Sequence, residues 1–269
     1  MQVDVIFTTY NQRAWLEKTL WGFACQTHRD FRVIVADDGS TQDTREMIEQ
    51  WRAEGPLHIE HVWQPDEGFR KCAILNKAIM QSDADYLIFT DGDCIPRADF
   101  VERHVSLARR GCFLSAGMTR LRRSVSEHIT RNDVADGHAF NRRWLRAAGQ
   151  PSHKLMRLSL GQGMGAMFDA LTPTKRTFNG HNASAWRADV LGAGGFDERM
   201  GYFGLDVELG LRLGNAGVQP QQVRHRVITL HLDHDRDWVH ADVVASNKAI
   251  MAETRRSGRT RTEHGLPTG

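Results

Sequence analysis

Pairs of acidic residues directly follow two apolar segments of the chain. Asp37 and Asp38 lie near the end of "FRVIVADDGS", and Asp91 and Asp93 flank Gly92 at the end of "YLIFTDGD". Short apolar segments rich in β-branched and aromatic residues predict buried strands. Two carboxylates at the end of a buried strand cost stability unless a cation or hydrogen-bond donors meet them. The pairs therefore indicate either a solvated Asp-Gly turn or a site that binds a cation and a polar ligand.

The segments around these acids alternate between predicted strands and helices. Strands are predicted for "VDVIFTT", "FRVIVADDGS", "HIEHVWQ" and "DYLIFTD", and helices between them for "QRAWLEKTLWGFACQ", "DTREMIEQWRAE" and "FRKCAILNKAIMQ". This alternation predicts an α/β fold with a parallel sheet and right-handed crossovers. Ligands of such folds bind beyond the carboxyl ends of the strands. Three of those ends carry the polar clusters "TTYN", "DDGS" and "DGD", which favours the binding-site interpretation.

The second half of the chain has a less regular pattern. It predicts a helix over "RADFVERHVSLARRG", a strand over "CFLSAGMTRL", helices with loops between residues 122 and 177, an amphipathic helix over "FGLDVELGLRLGNAG", and a late strand in "VRHRVITLHLDHDRDW". The basic end "ETRRSGRTRTEHGLPTG" has no apolar periodicity, so we expect it to be mobile. Its arginines could contact an anionic membrane surface or simply be solvated: Arg255, Arg256, Arg259 and Arg261.

Composition excludes several classes of protein. The 269 residues carry a formal net charge of +2, with 41% hydrophobic and 25% charged residues. We expect no nucleic-acid partner, because such a partner would require a strongly basic face. The apolar stretches are too short for a membrane span and the first residues lack the features of a signal peptide, so we expect a cytoplasmic protein. The cysteines lack paired or zinc-type spacing, which predicts free thiols: Cys25, Cys72, Cys94 and Cys112.

Six motifs occur in the order "TTYNQ", "VADDGST", "GFRKCAILNKAI", "FTDGDCIP", "NGHNASAWRADVLGAGGFDE" and "GLDVELGLRL". In this order they resemble the family 2 inverting glycosyltransferases of the GT-A fold, and the later motifs look like galactosyltransferases and chondroitin-polymerase-type domains. The resemblance spans about Val3 to His234 and implies one large α/β domain with a Rossmann-like, mostly parallel central sheet flanked by helices. Residues 3–120 would form the nucleotide-sugar-binding half, residues 121–250 the acceptor-binding and catalytic half, and residues 251–269 the mobile basic end.

The same resemblance implies transfer of a sugar from a UDP-sugar to a hydroxyl of a carbohydrate or glycolipid acceptor, with inversion at the anomeric carbon. It suggests a role in the synthesis of cell-surface polysaccharide or lipopolysaccharide, with possible peripheral contact at the inner face of the membrane. Two other classes stay open: a sugar-1-phosphate nucleotidyltransferase, and a nucleotide-sugar-binding module without turnover. A Gly-rich basic phosphate loop does not follow the first strand, which argues against the nucleotidyltransferase.

Carried over residue by residue, the resemblance assigns the nucleotide-sugar site to the strand ends. Asp91-Gly92-Asp93 matches the DxD motif of the family, whose first acid faces the ribose and whose second acid faces the metal. The other residues implied at the base, the ribose or the diphosphate are Thr8, Thr9, Tyr10, Asn11, Asp37 (on the uracil imide), Asp38, Arg70 and Lys71.

The resemblance also implies a divalent cation, Mn²⁺ or Mg²⁺, held by Asp93 and His231. Hard cations of this kind prefer oxygen ligands, and one would stabilise the negative charges of a diphosphate leaving group. An imidazole ligand favours Mn²⁺ over Mg²⁺. His234 is an alternative ligand, and a structural role for either histidine stays open.

Asp206 falls on the position of the family's catalytic base, which takes the proton of the acceptor hydroxyl. It could instead cap the helix that follows it. Relatives often carry Glu-Asp where this chain has Leu205 and Asp206, so Glu208 could take over part of the role. Candidate sugar contacts that could equally hold a turn or pack in the core are Asn179, His181, Asn182, Trp186, Tyr202 and Phe203.

Overall fold

The structure is a computed structural model that describes residues 1–151, 155–235 and 240–267. Its strands are β1 Val3–Thr9, β2 Arg32–Asp37, β3 Ile59–Trp63, β4 Tyr86–Asp91, β5 Cys94–Pro96, β6 Cys112–Ser115, β7 Gly117–Arg120, β8 Asn182–Trp186, β9 Gln219–Gln222 and β10 Ile228–His231. Its α-helices are α1 Arg13–Ala24, α2 Gln42–Glu54, α3 Lys71–Gln81, α4 Phe100–Leu107, α5 Arg123–His128, α6 Arg131–Ala135, α7 Arg142–Ala147, α8 Gln162–Leu171, α9 Arg187–Gly192, α10 Leu205–Asn215 and α11 Ala241–Ser257. Short 3₁₀ helices occur at His138–Phe140 and Met156–Ser159.

A seven-stranded sheet forms the centre of the fold, in the order β3-β2-β1-β4-β8-β6-β9. The strands β3, β2, β1 and β4 run parallel to one another, as their connection through helices requires. β8 is antiparallel to both β4 and β6. The parallel half is the one that the sequence predicts from its alternation of strands and helices.

A second, three-stranded sheet has the order β5-β10-β7. β5 follows the Asp-Gly-Asp motif and pairs antiparallel with β10, the late strand predicted in the second half. β10 also pairs parallel with β7. This small sheet therefore ties the acidic end of β4 to a segment far away in the sequence.

Each face of the central sheet buries its own apolar cluster, because alternate residues of a strand point to opposite faces. Ile6 and Phe89 lie in the cluster that contains α3 and α10, and Val5 and Ile88 lie in the cluster that contains α1 and α4. Burial contributes roughly 25 cal/mol per Å² of apolar surface. The strands are therefore held from both sides, which keeps their polar ends in place.

The C-terminal residues fold against the domain, so the prediction of a mobile basic end is wrong over the described residues. Met251 and Leu266 are buried in the main apolar cluster, and Arg261 donates to the carbonyl of Leu191 at 2.8 Å. Because these contacts join segments that are far apart in the sequence, no local periodicity predicts them. Arg259 also donates within the fold, to the carboxylate of Glu208 at 3.3 Å. None of the helices in the described part of the chain is long and apolar enough to cross a membrane.

All four cysteines are free thiols. Burial raises the pKa of Cys72 and of Cys94 and keeps both thiols protonated. We therefore expect a thiol reagent to label Cys25 and Cys112 in the folded protein, and all four cysteines after denaturation without reductant. Mass spectrometry of the labelled chain measures both counts. Rapid labelling of Cys94 in the folded protein, or fewer than four labels in denaturant, would contradict this expectation.

Candidate active site

The ends of β1, β2 and β4 bring the three polar clusters of the sequence to one edge of the central sheet. In the parallel ladders Thr8 pairs with Asp91, and Thr9 pairs with Asp37. The backbone N–H of Asp38 also donates to the carbonyl of Thr9 at 3.0 Å. The convergence expected from the sequence is therefore present, at the edge where ligands of parallel α/β folds bind.

Asp91 is held by a cation from α3. The ammonium of Lys71 donates to its Oδ1 at 2.6 Å, and the hydroxyl of Thr8 lies 3.5 Å from the same oxygen. Burial alone would lower the pKa of Lys71, but the carboxylates of Asp91, Asp93 and Asp206 outweigh it and raise the pKa. Lys71 is therefore charged at pH 7 and offsets the repulsion between the acids that surround it.

Gly92 sits where a side chain does not fit. A Cβ at this position would lie 2.7 Å from the carbonyl oxygen of Thr8, to which the N–H of Gly92 already donates at 2.9 Å. The hydroxyl of Thr19 donates to the carbonyl of Gly92 at 2.9 Å. The turn between the two acids is thus fixed from both sides, with the close backbone approach that glycine permits.

Asp93 meets two histidines through the small sheet. The antiparallel ladder places Cys94 opposite His231, and the N–H of Leu232 donates to the carbonyl of Asp93 at 2.9 Å. The Nε2 atoms of His231 and His234 lie 3.7 Å and 2.9 Å from Oδ2 of Asp93. Burial would raise the pKa of Asp93, but the two histidines lower it to about 2. Asp93 is therefore an anion at any ordinary pH.

These residues fit a divalent cation of the Mn²⁺ type. Asp93, Cys94 and His231 each offer one ligand atom, and these three atoms lie within 4.8 Å of one another. A carboxylate oxygen and an imidazole nitrogen suit such an ion. Cys94 offers a soft thiol, which suits Mn²⁺ less well than oxygen and nitrogen ligands do. Asp93 and His231 are therefore the pair best suited to hold the ion, with His234 beside them.

Asp37 and Asp38 both point into the protein. Asp37 is 0% exposed, accepts from the N–H of Ser40 at 2.8 Å and lies 3.0 Å from Nε2 of His61. Asp38 accepts from the side chain of Gln64 at 2.6 Å and from the N–H of Arg70 at 2.9 Å. Both carboxylates thus brace the loops beyond the strands. The predicted direct contact of Asp37 with a uracil imide does not agree with this arrangement.

Residues beyond β1 have a more open arrangement. Tyr10 is exposed and donates its hydroxyl to Asp66 at 2.8 Å. Asn11 has a positive φ of 50° and accepts from the N–H of Thr41 at 2.8 Å. The guanidinium of Arg70 pairs with Glu67. Tyr10 is therefore the side chain of this group that stays available to stack on a base, whereas Asn11 and Arg70 shape the surrounding loops.

Asp206 lies in the first turn of α10 and is not its cap. Gly204 occupies the N-cap position, with a positive φ of 78°. The carboxylate of Asp206 accepts from the N–H of Gly180 at 2.7 Å and from the N–H of Val207 at 2.9 Å. The preceding Leu205 is buried in the core, so it takes over no polar role. The carboxylate is thus held in place, and the helix N-terminus stabilises its charge.

A pocket of about 490 Å³ joins these parts of the site. Lys71, Asp91 and His231 line it together with His181 and Asp206. Its volume lies within the range of roughly 300–1,000 Å³ that is usual for small-molecule sites. Burial lowers the pKa of His181, and this effect outweighs the nearby carboxylates of Asp91 and Asp206, which raise the pKa. His181 is therefore neutral at pH 7 and can donate or accept a hydrogen bond in the pocket.

Glu208 belongs to the core, so its predicted role near the acceptor is wrong. Its side chain is 0% exposed and pairs with Arg212 at 2.7 Å. It also accepts from the hydroxyl of Thr254 at 2.8 Å. The helical period explains the difference from Asp206, because residues two positions apart on a helix point to different sides.

Asn182 and Trp186 are likewise structural, which corrects their assignment to sugar contacts. Asn182 is buried and donates to the carbonyl of Gly117 at 2.8 Å. Trp186 pairs with Tyr86 at the opposite end of the antiparallel β4–β8 ladder. Its predicted place near the reaction centre required a strand direction that the sequence does not reveal. Asn179 holds the turn before β8, where its amide donates to the carbonyl of Ala116 at 3.3 Å.

Sequence reasoning missed several residues that line the pocket. Arg120 lies opposite His231 in the β7–β10 ladder, and α11 contributes Arg255. Lys175 reaches the pocket from the segment before β8. Exposed basic residues of this kind carry no motif. The pairing of β7 with the histidine-bearing strand is the signal that could have identified Arg120.

Residues 4–164, more than half of the chain, match the sequence profile of "Glycosyl transferase family 2". The chain belongs to this family. The matched segment includes Asp91 and Asp93 but ends before Asp206 and His231. Among the relatives of this family 2 protein, validoxylamine A glucosyltransferase from Streptomyces hygroscopicus subsp. jinggangensis is 29% identical over 243 residues, with 87% of this chain and 56% of that protein covered. The chain thus spans about half the length of that relative.

Two solved structures share the fold of this family 2 protein. The mannosyltransferase PcManGT from Pyrobaculum calidifontis, in complex with GDP-Man and Mn²⁺, has a TM-score of 0.62 and 19% identity, with 94% of this chain and 64% of that chain covered. S. aureus TarS 1–349 in complex with UDP-GlcNAc has a TM-score of 0.62 and 14% identity, with 94% and 71% covered. The GT-A fold and the family expected from the motifs are thereby confirmed.

Proposed function

We propose that this protein is an inverting glycosyltransferase that moves a sugar from a UDP-sugar to a hydroxyl of a carbohydrate or glycolipid acceptor. The observation that carries the proposal is that one pocket joins the Asp91 and His231 side of the site to Asp206. A donor bound along the strand ends would place its anomeric carbon between the metal-binding side, with Asp91 and His231, and the carboxylate of Asp206. Family membership supports transfer over nucleotidyl chemistry.

Asp93 and His231 would hold the divalent cation on the donor side, Mn²⁺ in preference to Mg²⁺. When bound, such an ion offsets the charge that develops on the diphosphate leaving group. The PcManGT structure with Mn²⁺ supports this part of the proposal. The charged Lys71 lies beside Asp91 and adds a second positive group at the same edge.

Asp206 would act as the general base. Its carboxylate takes the proton of the acceptor hydroxyl while the hydroxyl oxygen attacks the anomeric carbon, and UDP leaves with the electron pair of the broken bond. A double displacement would need a second free carboxylate as nucleophile. Among the described pocket residues, Asp91 is bound by Lys71, which favours single displacement and inversion.

We place this activity in the assembly of a cell-surface polysaccharide or lipopolysaccharide, in the cytoplasm or at the inner face of the membrane. The four free thiols agree with a reducing compartment. The identity of the sugar follows from a donor panel, in which released UDP is measured with each UDP-sugar.

The proposed cation site is tested by calorimetry of UDP binding. We expect Mn²⁺ to raise the UDP affinity of the wild-type protein by on the order of tenfold or more, about 1.4 kcal/mol per tenfold. Asp93→Ala should abolish that gain, because the ion loses its proposed carboxylate ligand. Asp30→Ala, which removes an exposed acid before β2, is the matched control and should keep the gain. An undiminished Mn²⁺ effect in Asp93→Ala would refute the assignment.

A further inference from the structure

Phe203 has a strained backbone conformation at the border of the pocket. Its φ is +91°, and its side chain remains 43% exposed. A bulky residue with positive φ costs on the order of 1–3 kcal/mol. Glycine would adopt this conformation without the cost, and Gly201 and Gly204 stand close by in the same loop. Because the Phe203 ring stays exposed, its packing contributes little free energy that could offset the strain.

A buried side chain from α11 holds this loop in place. The amide of Asn247 is shared among the carbonyls of Gly201, Tyr202 and Phe203, at 3.1, 3.1 and 2.7 Å. Asn247 itself is 1% exposed. A single buried amide is thus committed to three consecutive carbonyls of one loop, which overcomes the strain at Phe203.

The loop leads directly into the proposed base. Phe203 stands three positions before Asp206, and both line the same pocket. Phe69 also lines it and meets the ring of Tyr202 edge to face, with centroids 6.0 Å apart. Lys248 lies 5.9 Å from the centroid of the Phe203 ring. The pocket therefore has an apolar aromatic border next to the carboxylate that would receive the proton.

We propose that Phe203 binds the acceptor sugar and that Asn247 positions Phe203 for this contact. A pyranose presents a C–H face that packs on an aromatic ring, while its hydroxyls remain at the edge of the contact. A sugar that lies on Phe203 would point a hydroxyl towards Asp206. The inference rests on the proposed function, since it names the acceptor subsite of the same pocket.

The test uses saturation-transfer NMR with methyl glycosides of glucose, galactose, mannose and N-acetylglucosamine, in the presence of UDP and Mn²⁺. The wild-type protein should saturate the ring C–H protons of at least one glycoside. Phe203→Gly should weaken that binding by roughly tenfold, equivalent to about 1.4 kcal/mol, and should raise the melting temperature because the strain disappears. Met80→Ala, which shortens an exposed apolar residue of α3, is the control and should change neither quantity.

Asn247→Leu separates positioning from direct contact. As a single substitution, Asn247→Leu should weaken glycoside binding. Added to Phe203→Gly, it should cause no further loss, because Asn247 acts through the Phe203 ring. Equal glycoside binding in wild type and Phe203→Gly, or no binding to the wild type, would overturn the inference. Glycoside binding that depends on Phe203 without release of UDP from any UDP-sugar would instead count against the proposed transfer alone.

Discussion

Asp206→Asn is expected to lower the rate of sugar transfer by ~10²–10⁴, the usual contribution of a general base, while UDP binding and the melting temperature stay near wild type. The amide oxygen of asparagine can still accept the hydrogen bond from the N–H of Gly180, and the exchange gives up the weaker bond from the adjacent N–H of Val207. It cannot take a proton from the acceptor hydroxyl. The loss should therefore fall on the rate of transfer and not on the affinity for UDP.

The matched control for this variant is Asp242→Asn. Asp242 is an exposed acid in the first turn of α11, so the exchange is the same in kind and lies in a comparable helical position. Release of UDP under saturating donor, measured by a coupled assay, gives the rate for both variants. Full activity of Asp206→Asn would remove Asp206 from the mechanism.

Arg212→Met is expected to cost about 3–5 kcal/mol of folding free energy, because it removes the buried cation that binds both oxygens of a buried carboxylate. Arg212 is 0% exposed and binds both oxygens of Glu208 at 2.7–3.0 Å. The same carboxylate accepts from Thr254 and Arg259, so this network fastens the C-terminal segment to α10. Its loss should loosen the helix that carries Asp206.

Urea unfolding followed by circular dichroism measures this loss. Arg256→Met is the control: it breaks an exposed pair with Glu253, and exposed pairs contribute about 1 kcal/mol or less. Adding Glu208→Leu to Arg212→Met should restore part of the stability, because the buried negative charge of Glu208 is then gone. An Arg212→Met protein as stable as Arg256→Met would contradict the structural role of this ion pair.

The donor side of the site could be anticipated from local sequence. Parallel strands joined by helices end at one edge, so the polar clusters after β1, β2 and β4 had to meet once those strands were recognised. The orientation of individual side chains could not be predicted from the same pattern. Asp37 turns inward to His61 and Ser40, although its position in the motif suggests a ligand contact.

The position of His231 and the acceptor side of the site depend on long-range contacts that local patterns do not encode. The antiparallel β5–β10 ladder joins Cys94 and His231, and the antiparallel direction of β8 carries Trp186 away from the pocket. The docking of α11 supplies Asn247 and Arg255, although its sequence suggested a partly mobile end. The predictions for Trp186 and for the C-terminal segment failed because they depend on how distant segments pair and dock.

The stereochemistry of the product tests the central claim of single displacement with Asp206 as base. The protein is mixed with Mn²⁺, the methyl glycosides named above and, in turn, the α-linked donors UDP-glucose, UDP-galactose and UDP-N-acetylglucosamine. Proton NMR then records the anomeric signal of the first product formed. We predict a β-linked product from an α-linked donor. An α-linked product would contradict the account, because retention requires a nucleophile that this mechanism does not contain.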